Sequence, residues 1–197
     1  MKKKPCICIS MLILLSMPAF SVTGQSHKSK YAGEEKREIK SLSDTDIEEL
    51  QNGKGWGLAK AAELNGVPGP VHLLEMKAEI GLNAQQIQAI EDLYQKMKQK
   101  AIPLGLKLIE LERKLNHHFA DRTMTDELLR QNLDTIAEVY RQLRYVHFSA
   151  HLKTPDILKS EQIALYNKLR GYSSGGPCEN VPKGHDPEMW KKHHNCP

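Results

Sequence analysis

The sequence predicts an all-α fold built on a long antiparallel helical hairpin. Apolar residues recur at alternating spacings of three and four over two long stretches, which is the period of helices packed along one face. A short helix-start motif occurs twice, each time just before a helical run. No stretch of the 197 residues alternates apolar and polar residues as a half-buried strand does.

The first 24 residues have the layout of a cleaved signal peptide. Lysines at positions 2–4 precede an apolar run over 5–20, and cleavage fits after either Ser21 or Gly24. We therefore expect an exported protein with no stable membrane insertion after cleavage; an uncleaved anchor is the alternative. Loss of the three lysines lowers the net charge from +4 to near +1, which gives no support for nucleic-acid binding.

The segment before the hairpin is predicted to be loosely organised. Residues 25–54 are polar and charged, which favours a mobile arm with a helical turn around 44–50. Short helices are then predicted over 58–64 and 71–80, with Pro70 at the first helical position of the second one.

Two helices form the predicted hairpin. The first runs from about residue 84 to Phe119 and contains Pro103, which should bend it. The second runs over 126–151, and a last short helix ends near Arg170. The seam is Ile87, Ile90, Tyr94, Met97, Ala101, Leu104, Leu108, Leu111, Leu115 and His118 in the first helix, and Leu129, Leu133, Ile136, Tyr140, Leu143, His147 and Ala150 in the second. Two narrow seams with few aromatic residues favour burial of the remaining apolar surface in a dimer.

The repeated motif reads LNAQQI in its first copy and LKSEQI in its second. In the first, Asn83 is a good N-cap, and Gln86, three residues later, can bond back to the backbone of the cap. In the second, Lys159 has no acceptor and cannot cap in this way. The structural positions of the two boxes are Leu82, Asn83 and Gln86, and Leu158 and Gln162.

The doubled box on an exported all-α chain resembles the Spy/CpxP family, whose signature is Leu-Thr-x-x-Gln occurring twice. The resemblance covers residues 55–172, and the threonine position is occupied by Asn83 and by Lys159. The family contains periplasmic ATP-independent chaperones, envelope-stress adaptors and heavy-metal sensor or resistance proteins. The resemblance implies a thin bent hairpin that dimerises into a cradle.

One functional hypothesis is a chaperone or stress adaptor in the periplasm. Its partners would be unfolded periplasmic proteins or a membrane sensor protein, and no cofactor is required. Apolar side chains beside lysines on the first long helix are the candidates for client binding, with dimer packing as the alternative role. They are Ile102, Leu106 and Ile109, with Lys98 and Lys107. We favour this hypothesis because the scaffold motif is its main support.

The alternative function is binding of a transition metal, as in a heavy-metal sensor. His147 and His151 are four residues apart on one helix, so both imidazoles can face one ion. Folding the hairpin about residue 122 brings His147 level with Met97, and His72 could approach the same end. Such a set suits Ni, Co or Cu, and histidine with carboxylate suits Zn. The competing interpretation is a histidine at 147 that is hydrogen-bonded in the core and an exposed one at 151.

The tail over 173–197 lacks an apolar period. Export favours a disulfide between Cys178 and Cys196, although the tail histidines also leave a zinc site open. No nucleophile elbow, phosphate loop or HExxH motif is present in the sequence, so we do not expect an enzyme.

Overall fold

The computed structural model describes residues 27–172, 181, 184–193 and 196 of the chain. In these ranges the regular elements are helical and no strand occurs, which confirms the all-α prediction. The predicted signal peptide and Cys178 lie outside the described residues. The helices are α1 (Asp44–Gln51), α2 (Lys60–Glu63), α3 (Pro70–Glu75), α4 (Ala84–Ala120), α5 (Asp126–His151), α6 (Ser160–Leu169) and α7 (Pro187–His193), preceded by a 3-10 turn at Glu34–Lys36.

The described residues from Glu34 onward belong to one compact unit, and residues 27–33 belong to a separate one. In the latter, the N–H of Ala32 donates to the carbonyl of Ser29 at 3.1 Å and closes a turn.

The hairpin consists of α4 packed against α5, as predicted. Asn83 caps α4 through a complete capping box with Gln86, and Thr125 caps α5 by accepting from the N–H of Leu128. Helix α4 continues through Pro103 without interruption. Its predicted kink and the cradle-shaped dimer stay predictions.

The buried face of α5 differs from the predicted seam in its first half. Asn132 and Val139 are buried, whereas Leu133 is 47% exposed and Tyr140 is 39% exposed. The difference arises because α5 does not pack on α4 alone: Val139 and Leu143 share their core with Ile39, from the segment before α1. Because this third element also packs on the hairpin, the buried positions of α5 shift by one residue, from 133 and 140 to 132 and 139.

The predicted mobile arm is wrong for the stretch from Glu34 to Lys54. Ile39, Leu42 and Leu50 from this stretch are buried in the main core. Ser43 caps α1 with a complete capping box, so the helix start is also specified locally. The average composition is polar, but a few aliphatic side chains at the right positions bury enough surface to hold the segment on the hairpin.

The end of α1 approaches α4 very closely. A Cβ on Gly105 would lie 2.2 Å from the carbonyl oxygen of Leu50, and one on Gly53 would lie 3.1 Å from Cγ1 of Ile102. Gly105 therefore allows backbone-to-helix contact that no larger residue permits. A second, smaller core contains Leu73, Ile80, Ile90, Leu158 and Tyr166, and joins α3, α4 and α6.

Candidate metal-binding cavity

A cavity of about 440 Å³ lies where the loops around α2 and α3 meet α4 and the end of α5. The four residues that the sequence nominates as metal ligands all line it: His72, Met97, His147 and His151. They come from three different helices and are brought together only by the tertiary fold.

His147 is the most buried polar group of the cavity. The residue is only 3% exposed, and its Nε2 has no hydrogen-bond partner. Burial, and to a lesser degree the neighbouring His151, lowers the pKa of His147 from 6.5 to about 4. The imidazole is therefore neutral at neutral pH, and a buried nitrogen lone pair or N–H is left without a partner.

His151 is held in one orientation. Its Nδ1 lies 2.8 Å from the carbonyl oxygen of Val67, and because a carbonyl only accepts, Nδ1 carries the proton. In the neutral ring the Nε2 lone pair is then available for a ligand. A Cβ on Gly69 would lie 2.8 Å from that Nε2, so glycine keeps the space beside it open. The expectation of an exposed His151 is wrong, because the residue is buried.

His72 repeats this arrangement near the surface. It belongs to α3, and its Nδ1 lies 2.8 Å from Oε2 of Glu75. The carboxylate accepts, so the neutral ring again leaves Nε2 as the free nitrogen.

Glu63 is a residue of the cavity that the sequence reasoning missed. Its Oε1 accepts from the hydroxyl of Tyr166 at 2.6 Å and from Nε of Arg170 at 3.2 Å, while Oε2 is buried without a partner. The Cβ position of Gly69 lies 3.6 Å from this Oε2, on the same side as His151. No local motif marks Glu63, because contacts with α6 bury it.

Within the described ranges, no three His, Cys, Asp or Glu side chains are close enough together to hold a metal ion. The orphaned Nε2 of His147 and Oε2 of Glu63 nevertheless fit a ligand set, since each is a donor atom without a protein partner. A bound ion would require rotation of these side chains toward one another.

The predicted client-binding residues do not form one exposed surface. Ile109 is in the main core, only 4% exposed, because the segment before α1 covers it. Ile102 is half-buried beneath Gly53, and Leu106 is 49% exposed. Of the two lysines, Lys107 is exposed and Lys98 places its ammonium 5.7 Å from the ring centroid of Tyr94.

The described part of the tail contains α7, with the rings of His185 and Trp190 edge to face at 4.9 Å. Cys196 is disulfide-bonded. Its predicted pairing with Cys178 stays a prediction.

The fold and the cavity define a helical-hairpin protein with a histidine-lined cavity. Comparison of the chain with protein-family models, with curated proteins and with solved structures found no match, so membership of the Spy/CpxP family stays a prediction. Over the part of the chain that is described, no helix combines the length and apolar character needed to cross a bilayer.

Proposed function

We propose that this chain is a periplasmic protein that binds a divalent transition metal, in the manner of a heavy-metal sensor or resistance protein. The observation that carries the proposal is that three imidazoles and one thioether line a single cavity.

The protonation of the histidines supports metal binding. A metal competes with protons for imidazole, and the low pKa of His147 removes that competition at neutral pH. His72 and His151 each donate Nδ1–H to an oxygen, as metal-bound histidines usually do through the ring nitrogen that does not touch the metal.

The donor types favour particular ions. Imidazole with the thioether of Met97 suits Ni, Co or Cu, whereas the added carboxylate of Glu63 favours Zn.

The test is calorimetric titration of the purified protein with Zn, Ni, Co and Cu(II). The variant is His147→Gln with His151→Gln, and the matched control is His117→Gln with His118→Gln, a histidine pair at the other end of the hairpin. We expect micromolar or tighter binding that the cavity variant loses and the control retains. Binding that survives in the cavity variant would refute the assignment of the site.

A chaperone or stress adaptor is the second candidate, because large apolar side chains remain exposed on the hairpin. Leu106, Leu133 and Tyr140 are examples. If they hold unfolded clients, Leu106→Asn with Leu133→Asn reduces suppression of client aggregation, while Leu169→Asn, an exposed leucine of α6, does not. Equal activity of the unmodified protein, the double variant and the Leu169→Asn control would remove the support for this candidate.

A further inference from the structure

A second depression lies between α4 and α5 and has a different chemical character from the metal cavity. It has a volume of about 250 Å³. Its floor is apolar and includes Leu93, Met97 and Val146, and its charged residues are Lys96, Lys100 and Lys153. No aspartate or glutamate contributes to its lining. We name this depression the lysine groove.

The three positive charges of the lysine groove are not neutralised. In the portion of the chain that the structure describes, none of the three lysines is within ion-pair distance of a carboxylate. Asp92, one turn before Lys96, instead accepts a hydrogen bond from Gln88 at 2.9 Å. Three arginines of the hairpin, Arg113, Arg130 and Arg141, are ion-paired, whereas its other described lysines are not.

This arrangement is unfavourable without a partner. Lys96 and Lys100 are a like-charge pair at the i,i+4 spacing on α4, which destabilises a helix. Lys153, just beyond α5, adds a third charge to the same groove. An anionic ligand would relieve the repulsion and gain three charge-assisted contacts.

We propose that the lysine groove binds an acidic segment of a partner protein. Side chains one helical turn apart are about 6 Å apart, and alternate side chains of an extended peptide are separated by about 7 Å. Two acidic residues with one residue between them therefore match Lys96 and Lys100. The apolar floor accommodates a neighbouring aliphatic side chain, which distinguishes a peptide from a free inorganic anion.

The groove is independent of the proposed metal site, although Met97 lines both. The inference therefore does not depend on whether the cavity binds an ion.

The experiment measures fluorescence anisotropy of a labelled peptide in which glutamates alternate with serine and end on a leucine. The groove variant carries Lys96→Gln, Lys100→Gln and Lys153→Gln. The matched control carries the same substitution at Lys77, Lys114 and Lys168, three exposed lysines outside the groove. Both variants change the net charge equally, so long-range attraction is the same.

We expect the groove variant to lose about tenfold or more in peptide affinity and the control to change less than about twofold. A glutamine version of the peptide should not bind. Equal losses in the two variants would overturn the proposal in favour of nonspecific charge. Failure of the peptide to bind the unmodified protein would overturn it, and groove-dependent binding to phosphatidylglycerol vesicles in that case would favour a membrane surface.

Discussion

The side-chain amides of Gln86 and Gln162 hydrogen-bond to each other. Nε2 of Gln86 donates to Oε1 of Gln162 at 2.8 Å, and Nε2 of Gln162 donates to Oε1 of Gln86 at 3.1 Å. Each oxygen also accepts the backbone N–H of its own helix cap, Asn83 or Lys159. The two boxes are therefore two halves of one contact between α4 and α6.

The remaining donors of this amide pair bond to backbone. Gln86 donates to the carbonyl of Ile157 at 2.9 Å, and Gln162 donates to the carbonyl of Gly81 at 3.0 Å. Every polar atom of the two buried amides is thus satisfied. In the second box Lys159 contributes only its backbone, since the N–H of Gln162 donates to the Lys159 carbonyl at 3.1 Å. The glutamine therefore has the same role in both copies, whereas the side chain at the cap position acts only in the first.

The first prediction concerns this pair. Gln86→Leu is expected to lower the free energy of unfolding by about 2 kcal/mol, because it leaves buried groups of Gln162 and Asn83 without partners. Urea unfolding measures the loss. The double variant Gln86→Leu with Gln162→Leu should cost less than the sum of the two singles by about 1 kcal/mol or more. Strict additivity would show that the amides are not coupled.

The second prediction concerns the contact of α1 with α4. Gly105→Ala is expected to destabilise the protein by about 2 kcal/mol or more, since overpacking against the Leu50 carbonyl exceeds the gain in helix propensity. The matched control is Gly55→Ala, where a Cβ meets nothing within 4 Å. Thermal unfolding of both variants tests it. A neutral or stabilised Gly105→Ala would show that α1 is not held on α4 in this way.

Local patterns predicted the hairpin well because its helices are long and their caps are adjacent in sequence. The Asn83 box, the start of α3 at Pro70 and the burial of Met97 all follow from spacing alone. The prediction from composition was wrong for the segment containing Ile39, because the average polarity of a segment does not reveal a few aliphatic residues that become buried.

The cavity was only partly predictable. Met97 and His147 share it because hairpin register follows from the position of the turn, which sets one against the other. Glu63 could not be found in this way, because α6 and the loop at Gly69 determine its surroundings. The seam error at Val139 has the same origin, in packing by an element distant in sequence.

The third prediction tests the role of Met97. Met97→Leu conserves side-chain volume, so it should cost less than about 1.5 kcal/mol in stability. Loss of the thioether should weaken binding of copper, a softer ion, more than binding of zinc. Parallel titrations with the two metals measure the ratio of affinities. An equal effect on both metals would remove Met97 from the ligand set.

The fourth prediction is a dependence of stability on pH that originates at His147. The folded protein keeps this imidazole neutral down to a pKa of about 4, whereas the ordinary histidine pKa is 6.5. Above pH 6.5 the group is neutral in both states and has no effect. As the pH falls from 6.5 toward 4, the unfolded chain takes up the proton first, so the folded state loses stability.

The expected loss over that interval is about 3 kcal/mol, from the free energy that corresponds to a pKa shift of this size. Urea unfolding of the protein in the presence of a chelator, at a series of pH values, measures it. The control is His147→Leu, which has no titrating group at this position and leaves no buried nitrogen unpaired. As the pH is lowered, the unfolding free energy of the parent protein should fall relative to that of His147→Leu. Parallel curves for the two proteins would mean that the ring at 147 is free to ionise in the folded state, and therefore that it is not sealed in the cavity as the structure places it.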